Sequence, residues 1–576
     1  MKKLNYIYKI IIVLVILVAS SCTEGFDDMN KDPNSFNTAE PVNIFAGVVK
    51  NTLNLVGGEM NTQMYLNYAS FIGSKGGQIP RFSYTDRNDR YWRTCYVDIL
   101  KNNQYIIDTY GDDPGYANRV HIAKIWKSYV LSVMVSTWGG VPVTDAWGDN
   151  LAVSYESEED VYRMILTMLK EAGEGIDPAG DKLRLDPVFD RDNSMWIKFA
   201  NTLRLKIALR ISYGFPNLAA EHGPDVMANE SGLVSSNGEN VLLKWGVDQE
   251  NWSWYYTEFV VGDASVSNIP YVNFHFLNNL KTYEDPRMYA MVDPSPTPLS
   301  IEDTVFASGS TTEKIAVRYE IPYYGTPLWR SPLDAWDLDG DENPFEGVAV
   351  EDYSKPSFER FFTEDMTFSV ITFAETNFMK AEAALKGWGG SETAEAYYYA
   401  GIDASFDQYG VSGADMYKEQ DGIKWGTESV GRKDLWSVVT SGISADPMDK
   451  IVRQRWIAMF YQGHDSWCLQ KRTRLLPLVA HHGPEDPPTV QQYQEIPEKM
   501  IYPLTEESIN EVGYQDAVAA LGGSDEMMTP LKMNKPGPDI PWETLPAAYS
   551  SEFASHWYGD SEDDLIANGV DYEILN

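Results

Sequence analysis

The chain has 576 residues, with 46 basic against 84 acidic side chains and a formal net charge of −38 at pH 7. Such a surface repels nucleic acid, anionic headgroups and acidic polysaccharides, and leaves neutral or cationic ligands open. Three cysteines in this length exclude a disulfide scaffold, while 17 Trp and 35 Tyr are enough for a core with aromatics left over for a binding surface.

The first elements are processing signals. Lys2, Lys3 and Lys9 precede an apolar run from Ile10 to Val18, and Ala19, Ser20 and Ser21 lead into Cys22. The run is shorter than the roughly 20 residues a spanning helix needs, and small residues before a cleavage point mark an export signal. The cysteine directly after A-S-S resembles a bacterial lipobox, with Ala19 where Leu is commoner. The expectation is that residues 1–21 are removed and Cys22 is acylated. Residues 22–40, polar and turn-rich, then read as a lipidated tether, and 41–576 as one domain. No second apolar run approaches spanning length, so the lipid alone is expected to hold the body to a membrane. Cys95 and Cys468 remain, expected as two separate buried thiols.

Helical periodicity dominates about 90–212. Trp92, Tyr96, Ile99 and Leu100 share a helical spacing, with Trp92 expected in the core. The stretch 116–140 reads as a long helix stopped by Gly139 and Gly140. Ser157 reads as an N-cap followed by first-turn acids. Trp196, Phe199, Ala200, Leu203 and Ile207 form one face of the next helix. From about 213 to 365 the periodicity fails, and Gly, Pro, Asn and aromatics cluster; a loop region this long is usually functional. Helices return over about 366–475. Ala374, Phe378, Ala381 and Leu385 share a face, and Ala394, Gly401 and Ala404 form the seam of a partner helix, as in tetratricopeptide-like hairpins. Residues 448–474 read as one long helical stretch with Val452, Trp456, Met459 and Phe460 on one side. The end, 520–576, reads as irregular and acidic.

No H-E-x-x-H, G-x-S-x-G, P-loop or C-x-x-C motif is present, so no catalytic centre is expected; a surface-anchored hydrolase is the less favoured alternative, since no spacing singles out a carboxylate pair. His481-His482 reads as an exposed loop. Asp337, Asp339 and Asp341 alternate as in calcium loops, yet Glu342 stands where that loop needs Gly and Val348 where it needs Glu. No cofactor is expected, and bound calcium is left open.

Several stretches together resemble the SusD/RagB family of nutrient-binding outer-membrane lipoproteins of the Bacteroidetes. They are the Cys22 region with F-D-D-M-N-K-D-P-N, S-T-W-G-G-V-P-V-T-D-A-W (136–147), M-W-I-K-F-A-N-T-L-R-L-K-I-A-L-R-I-S (195–212) and Y-E-D-P-R (283–287). I-T-F-A-E-T-N-F-M-K-A-E-A-A-L-K-G-W (371–388), Y-Y-Y-A-G-I-D-A-S-F-D-Q-Y-G (397–410), K-I-V-R-Q-R-W-I-A-M-F-Y-Q-G-H-D-S-W (450–467), Arg472-Thr473 and K-M-I-Y-P-L-T-E-E-S-I-N (499–510) complete the set. The chain departs from the family's frequent paired tryptophans near the end, reading T-P-L-K-M-N-K (529–535). The resemblance implies a mainly α fold of tetratricopeptide-like hairpins with long irregular ligand-binding loops. It also implies capture of an oligosaccharide, or in the RagB branch a peptide, without chemistry, and delivery to a SusC-like TonB-dependent transporter. Glu24, Asp27 and Asp28 resemble the signal that sends such lipoproteins to the cell's outer face. Trp138 and Trp196 fall in framework motifs and are assigned to structure.

Aromatic faces stack on the C–H faces of sugars, and loop Trp and Tyr are rigid enough to do so at small entropic cost. The candidate ligand contacts are therefore Trp329, Trp336, Tyr323 and Tyr324 in one loop, Trp252, Trp254 and Tyr255 in another, and Arg81 and Tyr84 in a glycine-rich loop.

Overall fold

A computed structural model describes residues 41–73, 85–147, 152–261, 270–296, 299–306, 314–323, 325, 353–431, 441–476, 496–536 and 571–575. The helices of eight or more residues are α1 (Pro41–Thr52), α2 (Thr85–Arg93), α3 (Lys101–Tyr110), α4 (Ala117–Trp138), α5 (Glu158–Gly175), α6 (Asn193–Ile211), α7 (Pro216–Met227), α8 (Phe274–Thr282), α9 (Phe373–Leu385), α10 (Ala394–Tyr409), α11 (Pro447–Ala458), α12 (Gly463–Thr473) and α13 (Glu511–Ala520). Among the described residues no helix is long and apolar enough to cross a membrane.

The fold is mainly α. Helices α4 to α7 pack each on the next, and α9 and α10 form a second hairpin that leans on α11. Local chemistry sets the ends. Ser157 accepts a hydrogen bond from the Asp160 amide as the cap of α5, and Gly410 ends α10 in the left-handed region. The core runs through Trp126, Trp138, Trp196, Trp456 and Trp467, all fully buried, and Trp92 packs on Trp138 edge-on at 5.5 Å. Cys95 and Cys468 are separate, buried and free.

The α9–α10 seam follows the predicted alternation. Ala374, Phe378, Ala381, Gly401 and Ala404 are buried, whereas Leu385 at the helix end is 40% exposed and leaves that face. A Cβ on Gly401 would sit 2.6 Å from the Phe378 ring, so only glycine lets the helices approach this closely. Gly401→Ala is expected to cost about 1–3 kcal/mol by overpacking, measured as a lower midpoint in urea unfolding.

Two expectations need correction. The region 213–365 is not uniformly irregular. It contains α7, α8 and five short strands, β1 (Val241–Lys244), β2 (Val292–Asp293), β3 (Leu299–Phe306), β4 (Lys314–Ile321) and β5 (Lys355–Pro356). β1 pairs antiparallel with β6 (Thr367–Ile371), β2 with β5, and β4 lies between β3 and β7 (Asp571–Leu575). The last strand lies within the C-terminal stretch read as irregular. Secondly, 448–474 is not one helix. It breaks at Met459–Gln462, where Tyr461 has φ +74°, a conformation costly for a residue with a Cβ. Asn61 pins this corner: its amide donates to the Tyr461 carbonyl at 2.8 Å, and its oxygen accepts from the Gly463 amide at 3.1 Å.

Charged side chains inside the helical layer explain several motifs. In Y-E-D-P-R, Arg287 and Asp285 are both fully buried. The guanidinium donates to Asp285, Ser405 and Gln454, and lies 4.9 Å from the Phe406 ring. Arg472 of α12 donates through two nitrogens to the two oxygens of Glu382 on α9, each at 2.6 Å. Arg455 of α11 donates to Glu375 of α9 at 2.8 Å, and Lys206 of α6 lies 3.0 Å from the other Glu375 oxygen. Asp465 accepts from Lys206 and Arg210.

Candidate ligand-binding groove

The pleat of β1 and β6 starts the site. Val241 and Leu243 point into the core, so Leu242 and Lys244 face outward, beside their register partners Ser369 and Thr367. These four line one side of a groove of about 810 Å³. The segment after β5 supplies Glu359, Arg360, Phe361, Thr363 and Asp365; the end of α10 supplies Asp407, Gln408 and Tyr409; and the break between α11 and α12 supplies Phe460, Tyr461 and Gln462. The unpredicted break is therefore what brings polar groups of an otherwise buried helical stretch to the groove.

Aromatic packing fixes this wall. Phe361 stacks on Tyr461 with ring centres 3.9 Å apart and 17° between planes. Arg360 is exposed, and its Nε and Nη2 donate to the carbonyls of Ala290 and Tyr409 at 3.2 and 3.4 Å, with the guanidinium 5.1 Å from the Tyr409 ring. Two carbonyls and a ring thus hold it in place. Lys244 pairs with Asp365 at 3.1 Å and holds that carboxyl below its usual range. Tyr289 is 67% exposed at the edge.

The predicted contacts fall unevenly around this groove. Tyr323 is half-buried, its ring edge-on to Tyr289 at 5.7 Å, which brings it to the groove's edge. Trp252 is half-buried, donates to the Val247 carbonyl at 2.9 Å and stacks edge-on with Tyr256. Its neighbour Ser253 hydrogen-bonds the Thr363 and Glu364 carbonyls, behind the groove wall. Trp254 packs over Gly58, leaving no room there for a Cβ. Tyr255 is a correction: it is fully buried, its hydroxyl donates to the Gly57 carbonyl at 2.9 Å and accepts from Asn61, so packing, not ligand contact, is its work. Trp329, Trp336, Tyr324, Arg81, Tyr84, Cys22, the Asp337–Asp341 loop and His481-His482 lie outside the described residues. Tyr289, Arg360 and Tyr461 escaped sequence reasoning. The one signal was the run S-F-E-R-F-F after Pro356, aromatics flanking an arginine.

Among the described residues, one thiol–imidazole contact is closed off from solvent. Cys468 sits 3.7 Å from His464 Nε2, but both are buried in the core. Burial raises the thiol, and the His464, Arg210 and Lys471 charges outweigh it, bringing Cys468 down to about 6. Among the described residues no group of three or more His, Cys, Asp or Glu side chains is placed to hold a metal ion.

Known proteins place this architecture. A family model described as starch-binding, associating with the outer membrane, matches residues 33–313, and one described as SusD and RagB outer-membrane lipoprotein matches 339–534. The chain belongs to the SusD/RagB family. Solved SusD-like structures share the fold over 86–87% of the chain. A chitin-binding SusD homolog from Flavobacterium johnsoniae is 21% identical with a TM-score of 0.67, covering 87% of this chain and 99% of its own. A protein described only as chitin-binding is 19% identical at 0.68, covering 86% and 100%. A SusD homolog from Bacteroides uniformis is 19% identical at 0.68, covering 86% and 99%. No curated protein sequence matches the chain. Y-E-D-P-R and the Glu382–Arg472 contact, both within the quoted motifs, serve here as buried framework.

Proposed function

We propose that this SusD-like protein is a cell-surface lipoprotein, anchored through Cys22, that captures an oligosaccharide and hands it unchanged to a SusC-like TonB-dependent transporter. The observation that carries the reading is the groove, which is large enough for several sugar rings and combines an exposed aromatic edge at Tyr289 and Tyr323 with polar side chains along its length. Stacking on the aromatics and hydrogen bonds to the polar groups are the two contacts a sugar offers. Two solved relatives are described as chitin-binding, which favours glycan over peptide. In this reading Trp329, Trp336 and Tyr324 serve as further stacking residues, with Arg81 and Tyr84 as further contacts. Peptide capture is the second reading, favoured by Glu359, Asp365 and Asp407 on the groove, which suit a basic peptide.

The test is binding of the full chain to a panel of polysaccharides, oligosaccharides and peptides, repeated with Trp329→Ala, Trp336→Ala and Tyr289→Ala. Loss of one stacking partner is expected to weaken a glycan about tenfold. A panel in which only peptides bind overturns the glycan reading.

A further inference from the structure

The groove carries polar groups that folding leaves unused. Among the described residues, the carboxamide oxygens of Gln408 and Gln462 and the hydroxyl of Tyr461 are buried without a hydrogen-bond partner, and all three residues line the groove. Tyr461 and Gln462 are each only 3% exposed, and Tyr461 holds a left-handed backbone. Native proteins pair nearly all their buried polar atoms, because an unpaired one has lost water and gained nothing. Three such atoms lining one groove, two at the left-handed corner and one at the end of α10, mark a surface incomplete without a ligand.

The charges around them narrow the ligand. Glu359, Asp365 and Asp407 line the groove, against Arg360 and Lys244, and Lys244 is already paired with Asp365. Carboxylates accept hydrogen bonds and never donate them, and the two orphan carboxamide oxygens are acceptors as well. These acceptors favour a ligand that brings donors: hydroxyls, amide N–H groups or ammonium groups. A carboxylate- or sulfate-bearing sugar would set its charge against Glu359 and Asp407, the two acids left once Lys244 has paired with Asp365, with Arg360 alone to answer them. Gln408 is half-buried at the end of α10, and the terminal torsion of a glutamine is broad, so its carboxamide turns toward a ligand at small cost.

We propose that Gln408, Tyr461 and Gln462 form a polar subsite that selects donor-rich neutral or amino sugars and rejects acidic ones. The proposal rests on the glycan reading above and names its substrate class.

The test compares pentamers of glucose, N-acetylglucosamine, glucosamine and galacturonic acid binding to the full chain in detergent, and to the Gln408→Leu/Gln462→Leu variant. The expected result is that a neutral or amino pentamer binds at least about tenfold more tightly than the galacturonate pentamer. The variant is expected to lose about tenfold in that affinity while its thermal midpoint holds or rises, since two orphan polar groups are gone. A purely structural role would move stability and leave affinity alone. Should the double variant not fold, Gln408→Leu alone reads the same contrast. Galacturonate binding as tightly as the best neutral sugar, or a folded variant with unchanged affinity, overturns the subsite and leaves glycan capture standing. A panel in which no sugar binds overturns both.

Discussion

Truncating Arg287 to alanine is expected to destabilise the protein by about 3–5 kcal/mol, the penalty for leaving one member of a buried ion pair alone. Asp285 is as fully buried as the arginine it holds, and Ser405 and Gln454 would lose their partner as well. The two rings beside the guanidinium, Phe406 and Tyr417, would border a void. Arg287→Lys is expected to recover only part of the loss, because an ammonium cannot reproduce the planar fork that meets both Asp285 oxygens. Urea unfolding of the two variants checks this, and a loss below about 1 kcal/mol for the alanine would sink the account.

Glu382→Ala is the second large effect, again about 3–5 kcal/mol, since it strands Arg472 and withdraws the link between α9 and α12. Here pH supplies a further check. Burial alone would raise the Glu382 carboxyl, but the charge and hydrogen bonds of Arg472 outweigh it and hold it below its ordinary 4.5. A carboxyl lowered by folding stabilises the native state above its unfolded value, and that contribution disappears as pH falls through the folded value. The stability gap between the wild type and Glu382→Gln is therefore expected to be full near pH 7 and to shrink below about 4.5. A gap that widens on acidification would contradict the assignment. Replacing both partners with apolar residues, as Glu382→Leu with Arg472→Met, is expected to cost far less than either single change.

These pairs mark the limit of what the sequence discloses. Apolar periodicity found the helices because burial repeats with the helical turn: Trp196, Phe199 and Leu203 are all in the core. The same periodicity misled at 448–474, where Val452, Trp456, Phe460 and Trp467 are all buried and nothing in the pattern marks the left-handed Tyr461 between them. Lys206 and Arg210 lie largely off the apolar face of their helix, where charge is usually solvated, yet both are buried; their partner Asp465 lies on a different helix, and no local rule reaches that far. Site reasoning ranked aromatics by their loop setting. That brought Tyr323 to the groove's edge but also chose Tyr255, which the same cluster N-W-S-W-Y-Y-T-E-F turns inward. The groove escaped because its walls come from five separated segments, joined by tertiary packing alone.

The corner at Met459–Gln462 is tied by Asn61 and backed by Phe361, while its two flanking helices are fastened to α9 by separate ion pairs, Arg455 to Glu375 and Arg472 to Glu382. The groove's inner wall is therefore a fixed bed: each helix beside the corner is anchored on its own, so loss of one tie leaves the other supports of that wall in place.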